Sequence, residues 1–451
     1  MQDTICAIAT AVGSGAISII RVSGNDAILI VNKIFKGKDL TKVETHTIHY
    51  GKIMDGNKEI DEVLVSIMKA PKTYTMEDVV EINTHGGIAP TNKVLELLLK
   101  NGCRLAEAGE FTKRAYLNGR IDLTQAEAVM DKINAKTDMQ NELATNSLNG
   151  KVSDLINNLR EDMIQIISNI NVNIDYPEYD DVDIITNDIM VPKIINLKKR
   201  IEEILKESKN GKIIKEGIKT AIIGSPNVGK SSLLNELLQE DKAIVTDIAG
   251  TTRDIVEGQI SINGILLNII DTAGIRNTDD KVEAIGVEKS IKVMNDADLV
   301  LFMLNNNEEL SNDNKKLLNE LNNRNYIIIV NKIDLVKKID ISKLNKDNII
   351  EMSIKEKKGI NELKNKIIEL FNLDNIETKD PTYISNVRSI GILELCLNKV
   401  KDIEDGLNNN YPIDMLELDI KAIWEELGKI NGTTYEEELL DEMFKRFCLG
   451  K

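Results

Sequence analysis

Hydrophobic and polar positions in the first 118 residues follow the patterns of strands, with helical spacing in two places. ICAIAT, AISIIRVSG and DVVEIN have the short apolar or alternating runs that are typical of strands. THTIHYGKI and EVLVSIM flank the Asp55-Gly56 turn, which predicts a β-hairpin. NDAILIVNKIF and the leucine-rich stretch after Gly86-Gly87 predict helices. Residues 1–118 are therefore predicted to form an α+β domain.

The spacing changes to that of amphipathic helices in residues 119–215 and again in residues 379–451. Two stripes flank an acidic loop that contains Asp180-Asp181, and a third lies nearer the C-terminus. The stripe positions are Val152, Leu155, Ile156, Leu159, Met163, Ile166, Ile167, Ile170, Ile174, then Ile194, Leu197, Ile201, Ile204, Leu205, and finally Leu416, Ile420, Ile423, Trp424 and Leu427. These stripes predict the core of a helical bundle rather than a cofactor site.

Residues 216–378 alternate short apolar runs with helical stretches, the pattern of βαβ units and a mostly parallel sheet. Because the ends of compact domains often lie close together, this α/β unit is predicted to be inserted into one helical domain. The chain is thus predicted to have an N-terminal α+β domain (1–118), a helical domain in two parts (119–215 and 379–451) and an inserted domain (216–378).

Composition narrows the functional classes. The chain has 57 basic and 73 acidic residues among 451, a net charge of −16, which disfavours a protein that coats nucleic acid. The four cysteines form no CxxC pair, which predicts neither a disulfide scaffold nor a zinc ribbon and fits a reducing cytosol. No leader is evident, and no apolar run approaches the ~20 residues of a bilayer span. The sequence predicts a soluble, cytoplasmic protein without membrane contact.

The segment from Gly224 to Ser231 matches GxxxxGK[ST]. It follows the strand KTAII and opens the helix SSLLNELL, the context that a phosphate-binding P-loop requires. Backbone N–H groups at such a helix N-terminus cradle phosphates. Lys230 is expected to reach those phosphates, and the Ser231 hydroxyl suits Mg²⁺.

Four further segments occur in the order expected of a GTP hydrolase. They are GTTR at 250–253, DTAG at 271–274, NKID at 331–334 and SIK at 353–355. The carboxylate of Asp334 can accept both the N1–H and N2–H₂ of guanine, which adenine lacks. The predicted GTP-binding residues are Asn227, Val228, Gly229, Lys230, Ser231, Ser232, Thr246, Thr251, Thr252, Asp271, Thr272, Ala273, Gly274, Asn331, Lys332, Asp334, Ser353, Ile354 and Lys355, with Ser231 and Thr252 as Mg²⁺ ligands.

The position after DTAG departs from Ras-like switches, which place there a Gln that orients the attacking water. Here it is Ile275, which cannot do so. The following acidic stretch contains Asp279, Asp280 and Glu283. From the residues alone, this stretch either supplies the water-orienting carboxylate or is a solvated charge cluster.

Motifs throughout the chain resemble the MnmE (TrmE) family of bacterial GTPases, which act in 5-carboxymethylaminomethyl modification of the tRNA wobble uridine. The motifs are IIRVSG within 17–24, EDVVEINTHGG at 77–87, GEFTKRAYLNGRIDLTQAEA at 109–128, IVTDIAGTTRD at 244–254 and the terminal FCLGK, a CxGK signature. The resemblance implies that the N-terminal domain binds folate and forms a homodimer. It also implies a heterotetramer-type complex with the FAD protein MnmG, which attaches the group to uridine C5 with a one-carbon unit from 5,10-methylenetetrahydrofolate.

The resemblance assigns roles to further residues. Folate contacts are implied at Arg21, Glu81, Arg120 and Lys451, with Arg120 standing where the family often has Lys. A K⁺ ion would be held by Asn227, Thr246, Ile248 and Thr251, in place of an arginine finger. The water-positioning acid matches Glu283. The tail residue Cys448 either packs on the preceding helix or lies beside the one-carbon unit, where its role is nucleophilic or positional.

Two alternative functions fit parts of the sequence. A nucleotide switch that regulates ribosome assembly explains the GTPase motifs but leaves the N-terminal domain and Cys448 unexplained. A self-sufficient folate-dependent transferase, regulated by GTP hydrolysis, needs no partner protein.

Overall fold

A computed structural model describes most of the chain, and its packing divides into two compact units. The described residues are 3–175, 187–240, 256–270, 286–322, 324–342, 344, 346–371, 373, 384–409, 411–434, 437–445, 447 and 450. The first unit contains Met1–Met130, Ser147–Pro192 and Lys399–Lys451, and the second contains Asp131–Asn146 and Lys193–Asn398. The domain boundaries proposed from the sequence after residues 118, 215 and 378 stay predictions.

The first unit contains a seven-stranded sheet. Its strands are β1 (Ile5–Ile8), β2 (Ile17–Ser23), β3 (Phe35–Lys36), β4 (Thr47–Asp55), β5 (Lys58–Met68), β6 (Val79–His85) and β7 (Arg104–Leu105). Their order is β3-β4-β5-β6-β2-β1-β7, and every neighbouring pair is antiparallel except β1 with β7. Pairing of β4 with β5 confirms the hairpin that the Asp55-Gly56 turn predicts.

Two helices bury one face of this sheet, α1 (Ala27–Ile34) and α2 (Ile88–Lys100). Because side chains alternate between faces along a strand, Val65 and Ile82 point into this core. Arg21 and Glu81 lie opposite one another on β2 and β6. Each is flanked along its strand by buried residues, so its own side chain points to the other face of the sheet. The alternation thus places a polar pair on the opposite, open face, part of which Phe111 covers beside β1.

Helices make up much of the remaining chain. They are α3 (Glu110–Leu117), α4 (Leu123–Asn134), α5 (Asp138–Leu148), α6 (Lys151–Asp175), α7 (Asn187–Glu216), α8 (Lys230–Glu240), α9 (Gly286–Asp296), α10 (Asn312–Asn319), α11 (Ile360–Leu370), α12 (Val387–Asn408), α13 (Ile413–Asn431) and α14 (Glu437–Phe444), with 3₁₀ turns at Leu40–Lys42 and Lys346–Asn348. In the first unit α6 packs on α13, where Ile156, Met163 and Ile423 are buried as the stripes predict. None of the described helices is long and apolar enough to cross a bilayer.

The second unit contains a six-stranded sheet. Its strands are β8 (Ile218–Gly224), β9 (Val256–Ile262), β10 (Ile265–Ile270), β11 (Leu299–Asn305), β12 (Tyr326–Asn331) and β13 (Ile349–Glu351), in the order β13-β12-β11-β8-β10-β9. Every neighbouring pair is parallel except β9 with β10, which confirms the mostly parallel sheet. The GSPNVGKS and NKID segments therefore follow strand ends at one edge of the sheet.

Candidate functional site

The P-loop occupies the turn between β8 and α8. Asn227, at its exposed tip, has a left-handed backbone with φ +60°, a conformation that Asn tolerates better than most residues. Val228 follows it and is buried in the core of the second unit, which anchors the loop. The loop leads directly into the helix N-terminus at Lys230, where unpaired N–H groups favour an anion.

Asn331 joins the P-loop to the two segments expected at the base. Its side chain is buried, and its Nδ2 donates to the carbonyl oxygen of Val228 at 2.8 Å. Its Oδ1 accepts a hydrogen bond from the Ile354 N–H at 3.3 Å. Gly229 has φ +108°, and a Cβ there would lie 2.5 Å from Asn331 Nδ2, so the contact requires glycine. One side chain thus links three separate motifs.

The proposed guanine-recognition residues also lie together. Lys332 Nζ donates to the carbonyl oxygen of Asn227 at 2.8 Å. Ser353 Oγ donates to Asp334 Oδ1 at 2.7 Å, and this bond, with Lys355 and Lys332 nearby, lowers the pKa of the Asp334 carboxyl below its ordinary value. Asp334 is exposed. It therefore presents an ionised acceptor at neutral pH, as a guanine N1–H and N2–H₂ pair requires.

Lys230 is folded back onto its own loop. Its Nζ donates to the carbonyl oxygens of Gly224 at 2.7 Å and of Ser225 at 2.9 Å, and burial lowers the pKa of its ammonium group. Ser231 follows it at the start of α8 and is partly exposed, and Ser232 is exposed. These two contacts hold the ammonium group against the loop that the sequence predicts to bind phosphate.

The remaining nucleotide-site predictions lie outside the described residues. They are Thr246, Ile248, Thr251, Thr252, Asp271, Thr272, Ala273, Gly274 and Glu283. Cys448 and Lys451 of the second predicted site are outside them as well.

That second site lies on the open face of the seven-stranded sheet. Arg21 Nε donates to Glu81 Oε1 at 2.9 Å, and Nη2 of the same guanidinium lies 2.9 Å from that oxygen. Arg21 Nη1 also donates to the carbonyl oxygen of Gly450 at 3.4 Å. The C-terminal tail therefore reaches the residues to which the family resemblance assigns folate, although 429 positions separate Arg21 from Gly450.

Gly450 has a conformation that its surroundings require. Its φ is +87°, and a Cβ at this position would collide with the carbonyl oxygen of Ile8 and lie 3.0 Å from Ala9 Cα. Gly450 thus lies directly against the end of β1, and only glycine allows that approach.

Arg120, in the segment after α3, contacts Tyr74 on the loop between β5 and β6. Its Nη1 donates to the carbonyl oxygen of Tyr74 at 2.8 Å, and its Cζ lies 4.9 Å from the centre of the Tyr74 ring. Arg21 Cζ lies 5.7 Å from the same ring. Sequence reasoning missed Tyr74, for which the scarcity of aromatic residues (4%) was the one available signal.

Comparisons with known proteins cover the whole chain. A family model described as MnmE helical domain matches residues 123–448, and one described as GTP-binding protein TrmE N-terminus matches residues 4–120. A tRNA modification GTPase MnmE from Bacillus cytotoxicus is 54% identical over 100% of this chain and 99% of that protein. The Bacillus anthracis protein of the same name is 53% identical, with the same coverage. A crystal structure of Era with MgGDPNP and 16S ribosomal RNA nucleotides is 27% identical over 34% of this chain and 56% of that chain, with a TM-score of 0.26.

Proposed function

Because the chain belongs to the MnmE family of tRNA modification GTPases, we propose that it acts with the FAD protein MnmG to install the (carboxymethyl)aminomethyl group on C5 of the tRNA wobble uridine. The one-carbon unit comes from 5,10-methylenetetrahydrofolate, and the modification takes place in the cytoplasm. The observation that carries this proposal is the full-length similarity, which spans both the P-loop unit and the Arg21–Glu81 site.

GTP hydrolysis is proposed to use the residues around the P-loop. Lys230 exchanges its loop carbonyls for the β- and γ-phosphates, and Asp334 selects guanine. Ser231 offers a hard oxygen ligand in the first turn of α8, directly after Lys230, which fits Mg²⁺, with Thr252 as the second ligand. Bound Mg²⁺ neutralises phosphate charge. Glu283 orients the attacking water in place of the missing Gln.

Potassium is proposed to stabilise charge that develops between the β- and γ-phosphates, held by Asn227, Thr246, Ile248 and Thr251. Asn227 supports this proposal because its side chain lies at the exposed tip of the P-loop.

We expect GTP hydrolysis to be at least several-fold faster in KCl than in NaCl at equal ionic strength. Steady-state phosphate release measures this difference. Identical rates in the two salts would remove the cation from the proposal.

Folate is proposed to bind at Arg21, Glu81, Arg120 and Lys451. The donor set fits such a ligand, since a carboxylate pairs with the N–H groups of a pterin and guanidinium groups pair with glutamate carboxylates. Arg21 and Glu81 are partly exposed, with 19% and 24% of their side-chain surface accessible, so a ligand can contact them.

A homodimer is proposed through the open face of the seven-stranded sheet. Ile48, Tyr50 and Leu64 are 65%, 63% and 46% exposed there, and Tyr50 pairs with Leu64 across β4 and β5. Ser66 lies between Ile48 and Glu81 in one cross-strand row, so this apolar patch shares a face with the Arg21–Glu81 pair. A second copy would cover the patch. Sedimentation of the full chain tests this, and a monomer at micromolar concentration would contradict it.

The function is tested by mass spectrometry of tRNA nucleosides. A bacterial strain that lacks its own family member should regain C5-modified wobble uridine when it expresses this chain together with MnmG. Unmodified uridine in the complemented strain would favour a ribosome-assembly switch, provided that the chain is expressed and hydrolyses GTP. Modification by this chain in a strain that lacks MnmG would instead favour the self-sufficient transferase.

A further inference from the structure

Tyr74 contacts two of the residues that are proposed to bind folate, Arg21 and Arg120. The ring has the guanidinium of Arg120 at 4.9 Å and that of Arg21 at 5.7 Å from its centre. Both distances are within the roughly 6 Å over which an aromatic ring attracts a cation. Two cations that would otherwise repel one another are therefore stabilised by the same side chain.

Arg120 depends on Tyr74 more than Arg21 does. Arg21 has a carboxylate partner in Glu81. Arg120 is exposed, and no carboxylate pairs with it within the described part of the chain. Its contacts there are the carbonyl oxygen and the ring of Tyr74, so its orientation is set by that one residue. The N–H groups that Tyr74 does not engage remain available to an anion.

The loop that carries Tyr74 is itself held firmly. Tyr74 Oη lies 2.9 Å from Thr112 Oγ1 on α3. Three positions further on, Glu77 is buried and accepts hydrogen bonds from Arg114 Nη1 at 3.1 and 3.2 Å. Glu77 also accepts a hydrogen bond from Ser23 Oγ at 2.7 Å. Through Glu77 the loop is thus fixed to Ser23 on the sheet and to Arg114 on α3 before any ligand arrives, even without the Tyr74 hydroxyl, which lowers the ordering cost of binding.

We propose that Tyr74 is a positioning residue that holds Arg120, beside Arg21, in the orientation that binds the anionic glutamate end of a reduced folate. This inference rests on the proposed folate function of the site. Tyr74 acts through the guanidinium groups, by its ring and its carbonyl oxygen, and its hydroxyl is needed only for the bond to Thr112.

Calorimetry of the full chain with tetrahydrofolate under anaerobic conditions tests the proposal. Tyr74→Leu, which keeps an apolar side chain but removes the ring, should weaken binding about tenfold. Tyr74→Phe keeps the ring and should bind tetrahydrofolate with an affinity within about twofold of that of the native chain. If the hydroxyl group were the important part of Tyr74, both variants would lose affinity. Unchanged thermal unfolding and GTP hydrolysis report that each variant is folded; should Tyr74→Leu fail this check, Tyr74→Met takes its place.

A double-variant cycle separates positioning from general support of the fold. If Tyr74 acts through Arg120, the loss in Tyr74→Leu/Arg120→Gln should be smaller than the product of the two single losses. Independent losses, or native affinity in Tyr74→Leu, would overturn the inference. A native chain that binds no tetrahydrofolate would instead refute the proposed folate function, and the two failures are thereby distinguished.

Discussion

Asp334→Asn is expected to change the ratio of GTP affinity to xanthosine triphosphate affinity by roughly 10⁴-fold, in favour of the xanthine nucleotide. Asp334 offers carboxylate oxygens to the N1–H and amino groups of guanine. In the variant, an amide NH₂ replaces one oxygen and faces a guanine donor, which leaves that donor unpaired. Xanthine has a carbonyl at the position of the guanine amino group, so the same NH₂ can donate to it.

The contact with Ser353 makes this substitution specific. Ser353 Oγ donates to Asp334 Oδ1, and the Asn side chain retains an oxygen that can accept that bond. The backbone of the NKID and SIK segments should therefore stay in place while the recognition pattern changes. Asp313→Asn, which neutralises an exposed carboxylate on α10, is the matched control and should keep the native preference. Equilibrium binding of GTP, ATP and xanthosine triphosphate measures the change.

Two outcomes of that experiment would contradict the assignment. Equal affinity of the native chain for ATP and GTP would mean that Asp334 does not select the base. Retention of the native GTP preference in Asp334→Asn would place base recognition on other residues.

Sequence patterns predicted the parts of this fold that local chemistry determines. The hairpin around Asp55-Gly56, the mostly parallel sheet of the second unit and the buried stripe of α6 follow from periods of two or three to four residues, and the structure has all of them. The resemblance to the MnmE family is confirmed by full-length relatives at 53–54% identity. A contiguous motif such as GSPNVGKS can be located without any tertiary information.

Contacts between distant segments were not predictable in this way. Asn331 was expected to bind nucleotide, but its bonds to Val228 and Ile354 exist only because parallel strands bring their carboxyl ends to one edge. Tyr74 has no motif of its own, and its importance arises from two cations that come from β2 and from the segment after α3. The hydrophobic periodicity of a single sequence does not encode such contacts between distant segments.

Gly450→Ala is expected to reduce tRNA modification roughly 10²-fold while GTP hydrolysis stays near the native rate, because displacement of a reacting group by about 1 Å can cost that much. The added Cβ would collide with the Ile8 carbonyl oxygen, and at φ +87° the alanine backbone is itself strained. Residue 450 must then move away from the end of β1, and Arg21 loses its bond to the carbonyl oxygen of that residue. Cys448, two residues before Gly450, and Lys451, directly after it, are proposed to act at this site and would be displaced with it.

Gly56→Ala is the matched control, since Gly56 also has a positive φ (+60°) but an added Cβ there would meet nothing within 4 Å. It imposes backbone strain without a collision and should modify tRNA at close to the native rate. Cys448→Ser then separates the two roles of the tail: a loss as large as that of Gly450→Ala assigns chemistry to the thiol, whereas native modification leaves only the reach of the tail. Nucleoside mass spectrometry after reaction with MnmG and tRNA gives the rates. The variant cannot approach β1 without a collision. If Gly450→Ala modified tRNA at the native rate, the approach of Gly450 to β1 would therefore not be required for modification.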